Sequence, residues 1–295
     1  MFKGLMMTIK PESLLISFVA VSTGTAIASL YGPVHWARYG LTLIGMIFMQ
    51  AGANVLNDYF DYKNEVDTSH VPGSFGTGGR AIGQNLLSPG LVLILGLLFY
   101  LFTLPIGIYL TVKVGLPILI LGIIGFFVGF FYTGSPIGFK YYALGEPAVF
   151  LVWGPLMVSG AYYVQRGSFS VQPIFVSLPV GILVALILFA NDIRDLASDT
   201  RARISTLATI LRKEGAVKLY RLLVFGSYGI TLLLIAAGQL SLWGLITLVS
   251  LPLALKLIKQ MQVAVPPDAD ARTAQLNTVY GLLLVVSIVL QRLFS

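Results

Sequence analysis

Two stretches of the chain, far apart in sequence, repeat one acidic pattern. The first runs from Asn57 to Asp67 and the second from Asn191 to Asp199. Both read Asn-Asp-x-x-Asp-x-x-x-acid, with carboxylates at Asp58, Asp61 and Glu65 in one copy and Asp192, Asp195 and Asp199 in the other. On a helix these spacings put the acids of each copy on one face. The chain has 12 acidic residues, and half of them belong to these two triads. Carboxylates gathered in this way repel one another and need cations. Oxygen donors without histidine or cysteine suit Mg2+ or Ca2+. Mg2+ takes one or two carboxylates and completes its shell with water and phosphate oxygens. Two such clusters facing each other would hold a diphosphate between metal ions. Neutralised there, a diphosphate is a better leaving group. If it carries an allylic chain, its departure leaves a carbocation that an electron-rich ring attacks. The competing use of such acids is cation transport, but transporters place their ion ligands near the bilayer midplane, whereas these acids lie at the ends of apolar runs.

The elements that must position the acids are membrane spans. The chain of 295 residues is 57% hydrophobic and 11% charged, with a mean hydropathy of +0.87. Soluble domains carry about 25% charged residues, so the composition predicts an all-α polytopic membrane protein. The lack of cysteine excludes disulfides, thiolate metal sites and a cysteine nucleophile, and His35 and His70 are too few for a histidine-built centre. The net charge of +7 comes from basic residues set among apolar spans. That pattern is an orientation signal and argues against a nucleic-acid partner.

With about 20 apolar residues per crossing, nine spans are predicted, near 13–31, 40–60, 90–112, 115–132, 146–164, 172–191, 219–237, 241–258 and 275–294. They form one domain over residues 1–295, and the longer connections, near 61–89 and 192–218, each begin at an acidic cluster. With the N-terminus in the cytoplasm of a cell (inner) membrane, 15 of the 19 basic residues fall on the inner side, leaving Arg38, Lys113, Arg166 and Arg292 outside. All 12 acidic residues fall on the inner side too. Both clusters are thus expected at the cytoplasmic mouth of a helix bundle.

Further short motifs stand between and after the clusters: Leu87-Ser88-Pro89, Tyr132-Thr133-Gly134, Gly138-Phe139-Lys140-Tyr141, Leu144-Gly145-Glu146, Tyr162-Tyr163-Val164-Gln165 and Thr206-Leu207-Ala208. In this order, with the two Asp-rich motifs, the chain resembles the UbiA superfamily of intramembrane aromatic prenyltransferases. Within it the nearer branch is MenA, the 1,4-dihydroxy-2-naphthoate polyprenyltransferases of menaquinone synthesis. The resemblance runs over about residues 50–215. It implies a nine-helix bundle that uses Mg2+ to transfer a polyprenyl group from polyprenyl diphosphate to 1,4-dihydroxy-2-naphthoate, giving demethylmenaquinone, diphosphate and CO2. By the same resemblance Asp58, Asp61 and Asp67 bind one metal ion, and Asp192, Asp195 and Asp199 the other. Arg80 and Lys140 bind diphosphate, Arg80 from a glycine-rich lid over 73–79, and Arg194 binds it too or braces the second motif. Asn54, Asn57 and Asn191 face the substrate, Tyr132 lines the position of the cation, and Glu146 holds the aromatic acceptor. The sequence departs from the branch in two places. Glu65 stands where glycine is usual, and Ile204 stands where a lysine is usual. The second departure leaves other acceptors open: 4-hydroxybenzoate, homogentisate, a chlorin or a lipid ether.

Overall fold

The computed structural model describes residues 1–64, 80–134, 136–202 and 204–294, and the regular elements among them are helical. In chain order these are α1 (Phe2–Ile9), α2 (Leu14–Ser29), α3 (Trp36–Lys63), α4 (Arg80–Gly83), α5 (Pro89–Val114), α6 (Pro117–Phe131), α7 (Gly145–Leu151), α8 (Met157–Arg166), α9 (Val171–Ala202), α10 (Leu207–Ala236), α11 (Leu251–Val263) and α12 (Ala269–Phe294). α1 with α2, α7 with α8, and a 3-10 stretch with α11 each make one crossing. Among the described residues, eight segments are long and apolar enough to span a bilayer.

Over the expected ninth span, 115–132, the helix is shorter than predicted: α6 has 15 residues. At 1.5 Å per residue that is about 22 Å, short of a hydrocarbon core of about 30 Å. Gly115, with φ of 138°, and Pro117 in the first turn delay its start. Gly134 and Pro136 lie just past its end. Other spans are longer than hydropathy predicts. α9 runs to Ala202, so the whole second acidic motif is helical. α10 begins at Leu207, where Thr206 and Thr209 form a reciprocal capping box, and it breaks at Arg212, with φ of 59°. Polar helix ends in water keep their backbone hydrogen bonds while losing the apolar signal that marks a span.

The main core is built by α2, α8, α9, α10 and α12, around Val19, Ile27, Leu183, Leu186, Tyr220 and Leu284. The bundle is locked by hydroxyl pairs: Tyr220 with Thr273 at 2.8 Å, Tyr228 with Ser250 at 2.6 Å, and Tyr280 with Thr231. Inside a membrane such bonds supply association that apolar contact does not. Between α7 and α8 the helix opens into a wider turn at Gly154 and Pro155. A Cβ on Gly154 would lie 3.0 Å from the Cα of Gly181. Paired glycines therefore let this crossing close on α9, which carries the second motif. A smaller cluster, Val55, Ala81, Ile82, Leu87 and Val92, joins α3, α4 and α5, and Met7 and Ile9 of the N-terminal segment pack on it.

Candidate active site

The last turns of α3 present the first motif in two directions. Asp58 and Asp61 are 1% and 0% exposed, and three residues separate them on the helix. Asp58 continues the face of Gln50 and Asn54, at spacings of four. That face receives the N-terminal segment. Asn54 Nδ2 donates to the Ile9 carbonyl at 2.8 Å and to Ser13 Oγ at 2.9 Å. Gln50 Nε2 donates to the Ser13 carbonyl at 2.8 Å, and Gln50 also bonds Ser17. Lys10 Nζ stands 3.4 Å from Asp58 Oδ1. Asn54 thus lies on the Asp58 side, as its spacing predicts, and its amide hydrogens are bonded to the chain's own N-terminal segment. The Asn57 Nδ2 atom is buried without a hydrogen-bond partner.

Asp61 faces the connection between α6 and α7. Lys140 Nζ donates to its Oδ2 at 2.9 Å and the Tyr141 hydroxyl donates to its Oδ1 at 2.8 Å. Both donors ride on a single 3-10 turn, Phe139–Tyr141. Gly138 starts that turn at φ of 59°, and a Cβ there would meet the Tyr141 ring at 2.7 Å. No other residue type allows that turn and that ring position together. The Lys140 backbone N–H donates to the Tyr132 carbonyl at 3.0 Å, so the turn is tied to the end of α6. Burial, then the adjacent Asp61 charge, pushes the Tyr141 phenol up, so it remains a donor to Asp61. Burial likewise raises the Tyr132 phenol well above its ordinary value.

The second motif is organised by Arg194. Its Nε and Nη2 donate to the two oxygens of Asp195 at 2.8 and 2.6 Å, a bidentate fork. Nη2 also donates to Asn191 Oδ1 at 2.5 Å, and Nη1 lies 2.9 Å from Asp270 Oδ2 at the start of α12. Of the two roles open to Arg194, bracing the motif is the one the geometry displays. Asp192 is buried and its carboxylate faces that of Glu146, with Asp199 and Lys140 also within electrostatic reach. Glu146 Oε1 is buried without a partner. The segment after the motif is tied back to the site's borders: Ile204 N–H donates to the Asp199 carbonyl at 3.0 Å, and Ser205 bridges to Tyr142.

The two motifs meet through the 132–146 connection. Lys140 is bonded to Asp61 and is close enough to act on Asp192. Tyr132 feels Asp61 from one motif and Asp192 and Glu146 from the other. Glu65, Asp67 and the glycine-rich stretch lie outside the described residues, as does the side chain of Arg80, whose backbone opens α4. Three site residues escape a reading of the motifs. Lys10 appears in sequence only as one more inner-side cation. Tyr141 belongs to a quoted motif without a role. Asp270 is signalled only by being one of few acids, at the start of the last helix.

The donors fit a hard dication. They are oxygen atoms, with neither histidine nor cysteine among them. No three acidic or histidine side chains form a ready-made cage among the described residues. Acids offered in ones and twos suit an ion that draws its other ligands from water and phosphate. Below the site, α3, α5, α6 and α8 line a half-open apolar cavity of about 500 Å3, with Met46, Met49, Tyr100, Phe126, Leu156 and Met157 among its walls. Met49 is nine residues before Asp58, about 14 Å along the helix axis.

A model of the UbiA prenyltransferase family matches residues 15–283. The 1,4-dihydroxy-2-naphthoate octaprenyltransferase of Bacillus subtilis (strain 168) is 30% identical over 285 residues, covering 95% of this chain and 90% of that protein. The UbiA prenyltransferase domain-containing protein 1 of Xenopus tropicalis is 31% identical over 290 residues, covering 96% of this chain and 81% of that one. Among solved structures, an apo UbiA homologue from Aeropyrum pernix K1 aligns with a TM-score of 0.69 at 12% identity, over 95% of this chain and 98% of the other. A UbiA homologue from Archaeoglobus fulgidus bound to GPP and Mg2+ aligns with a TM-score of 0.60 at 13% identity, over 96% and 99%.

Proposed function

Because the chain belongs to the UbiA prenyltransferase family, we propose that it transfers a polyprenyl group from polyprenyl diphosphate to 1,4-dihydroxy-2-naphthoate with the help of Mg2+. The products are demethylmenaquinol, diphosphate and CO2, and the quinol is recovered as demethylmenaquinone once oxygen has taken two electrons and two protons from it. The observation that carries this reading is the meeting of the two acidic helix ends on the 132–146 connection, where Lys140 joins Asp61 to the Asp192 side. The acceptor comes from the Bacillus relative's name, and the metal from the oxygen donor set and the Archaeoglobus homologue with Mg2+. The basic-residue bias puts the site at the cytoplasmic face of the cell membrane.

Each residue then has a task. Asp58, Asp61 and Asp67 would hold one Mg2+, and Asp192, Asp195 and Asp199 would hold another. Bound Mg2+ neutralises the diphosphate and makes it a better leaving group. Arg80 and Lys140 bind its oxygens and keep it in place after the C–O bond breaks. Asn57 and Asn191 line the same mouth. Arg194 holds Asn191 and Asp195 in register. The Tyr132 ring offers its face to the allylic cation. The apolar cavity takes the prenyl chain. Glu146, with an oxygen already buried and unpartnered, accepts a hydrogen bond from a ring hydroxyl of the acceptor. The ring carbon bonds to the cation, and loss of the ring carboxylate as CO2 restores aromaticity.

A second reading changes only the acceptor. Ile204, whose N–H donates to the Asp199 carbonyl, stands where the MenA branch usually has lysine, which removes a cation next to the second motif. One experiment decides: membranes holding the protein are incubated with labelled polyprenyl diphosphate and a panel of acceptors. Labelled demethylmenaquinone from 1,4-dihydroxy-2-naphthoate is expected. A product formed only with another acceptor replaces that part of the proposal, and no diphosphate release with any acceptor refutes it.

A further inference from the structure

Lys10 lies at the acidic mouth although it is 48 residues from Asp58 in sequence, and its backbone is fixed with unusual care. It caps α1 in the left-handed region, with φ of 53°, where residues other than glycine are uncommon. Its N–H donates to the Met6 carbonyl at 3.1 Å, and its carbonyl accepts from both the backbone and the hydroxyl of Ser13 at 2.8 Å. The residues on either side are clamped to α3, Ile9 and Ser13 by Asn54, and Ser13 again by Gln50. One stripe of α3, Gln50, Asn54 and Asp58, thus fixes the N-terminal segment and receives its lysine. The side chain is 13% exposed and reaches Asp58, which is 1% exposed.

We propose that Lys10 is a further substrate-binding residue, which holds Asp58 before the metal arrives and turns to a diphosphate oxygen once the metal takes Asp58. This rests on the prenyl diphosphate reading above. The physical reason is exclusion of like charge. A dication at Asp58 repels an ammonium group 3.4 Å from the same carboxylate. A largely buried ammonium needs another anion, and the diphosphate is the anion brought to that mouth. Lysine suits the exchange because its charge sits on a flexible four-carbon stem, while its backbone stays clamped. The exchange also couples the two ligands: metal frees the lysine, and the freed lysine strengthens the hold on diphosphate.

The test uses the purified full chain in detergent, with Mn2+ as metal probe and a farnesyl thiolodiphosphate as unreactive analogue. Binding of each is measured for wild type, Lys10→Met and Lys10→Arg. Removing the lysine removes a competitor for Asp58, so Lys10→Met binds Mn2+ alone about threefold or more tighter. With Mn2+ present it binds the analogue about tenfold weaker, the scale of one charge-assisted hydrogen bond. Lys10→Arg restores analogue binding. If Lys10→Met does not fold, Lys10→Gln is expected to give the same pair of opposite shifts. Unchanged binding of either ligand, or weakening of both together, overturns the role of Lys10. A wild-type protein that binds neither probe overturns the functional reading itself.

Discussion

At the scale of single residues, burial separates the acids by their surroundings. Asp58, Asp61 and Asp192 are buried; Lys10 stands by Asp58 and Lys140 by Asp61 and Asp192, while Arg194 is forked on Asp195. Replacing Asp58 or Asp195 by alanine should lower prenyl transfer at least about 100-fold, the loss of a metal-binding charge at about 3 kcal/mol. Melting should stay cooperative, because each position lies at the rim of the bundle and not in its core. Turnover within a few-fold of wild type in either variant would contradict the metal assignment. Tyr141→Phe removes the phenol donor to Asp61 while leaving Lys140 in place. Its kcat/KM should fall about 10-fold, by the worth of a hydrogen bond to a charged group, and steady-state kinetics would show it. Spacing alone marked the two acidic triads, of which Glu65 lies outside the described residues; Lys140 and Glu146 were marked by the family resemblance, and the structure brings both to the acids. Lys10, Tyr141 and Asp270 were given no role at the site, because their roles depend on which helix ends meet, and no local pattern encodes that.

At the scale of elements, hydropathy located the crossings but misjudged their ends. It saw 172–191 where the helix is Val171–Ala202, since the acidic motif continues the helix in polar surroundings. It gave 115–132 the rank of a full span, where glycine and proline confine the helix to 15 residues. It could not show that the crossing through α7 and α8 opens at Gly154, because a close approach between two glycines on different helices leaves no periodic trace. The cavity between α3, α5, α6 and α8 was equally hidden, since its walls and the lipid-facing surface share one apolar composition. Gly122 lines that cavity, and nothing lies within 4 Å of where its Cβ would be. Gly122→Phe should therefore be accommodated, fill part of the cavity and shorten the preferred prenyl donor. Competition between farnesyl and longer polyprenyl diphosphates, read by product chain length, checks this. An unaltered preference would mean that the chain runs elsewhere.

At the scale of the whole molecule, opposite charges organise one end of the bundle. α3, α9 and α12 send acids there, while the N-terminal segment and the 132–146 connection send cations. Metal removal should consequently silence the protein without unfolding it, because lysine and arginine already compensate the carboxylates. Treatment with a chelator should abolish transfer, leave the melting transition in place, and be reversed by added Mg2+. Full activity after exhaustive chelation would exclude the metal-assisted reading.

The 15-residue α6 imposes something on the surroundings too. An apolar helix near 22 Å that carries the chain from α5 back to the Asp61 mouth cannot match a leaflet pair of about 30 Å, so the lipids beside it must pucker or the chain ends must sink inward. That dimple would lie beside the wall of the apolar cavity, on the one flank where hydrophobic mismatch is greatest. Turnover in vesicles should then fall as the acyl chains of the host lipid lengthen, with thin membranes the most permissive, and a rate indifferent to thickness would show that the mismatch is absorbed within the protein.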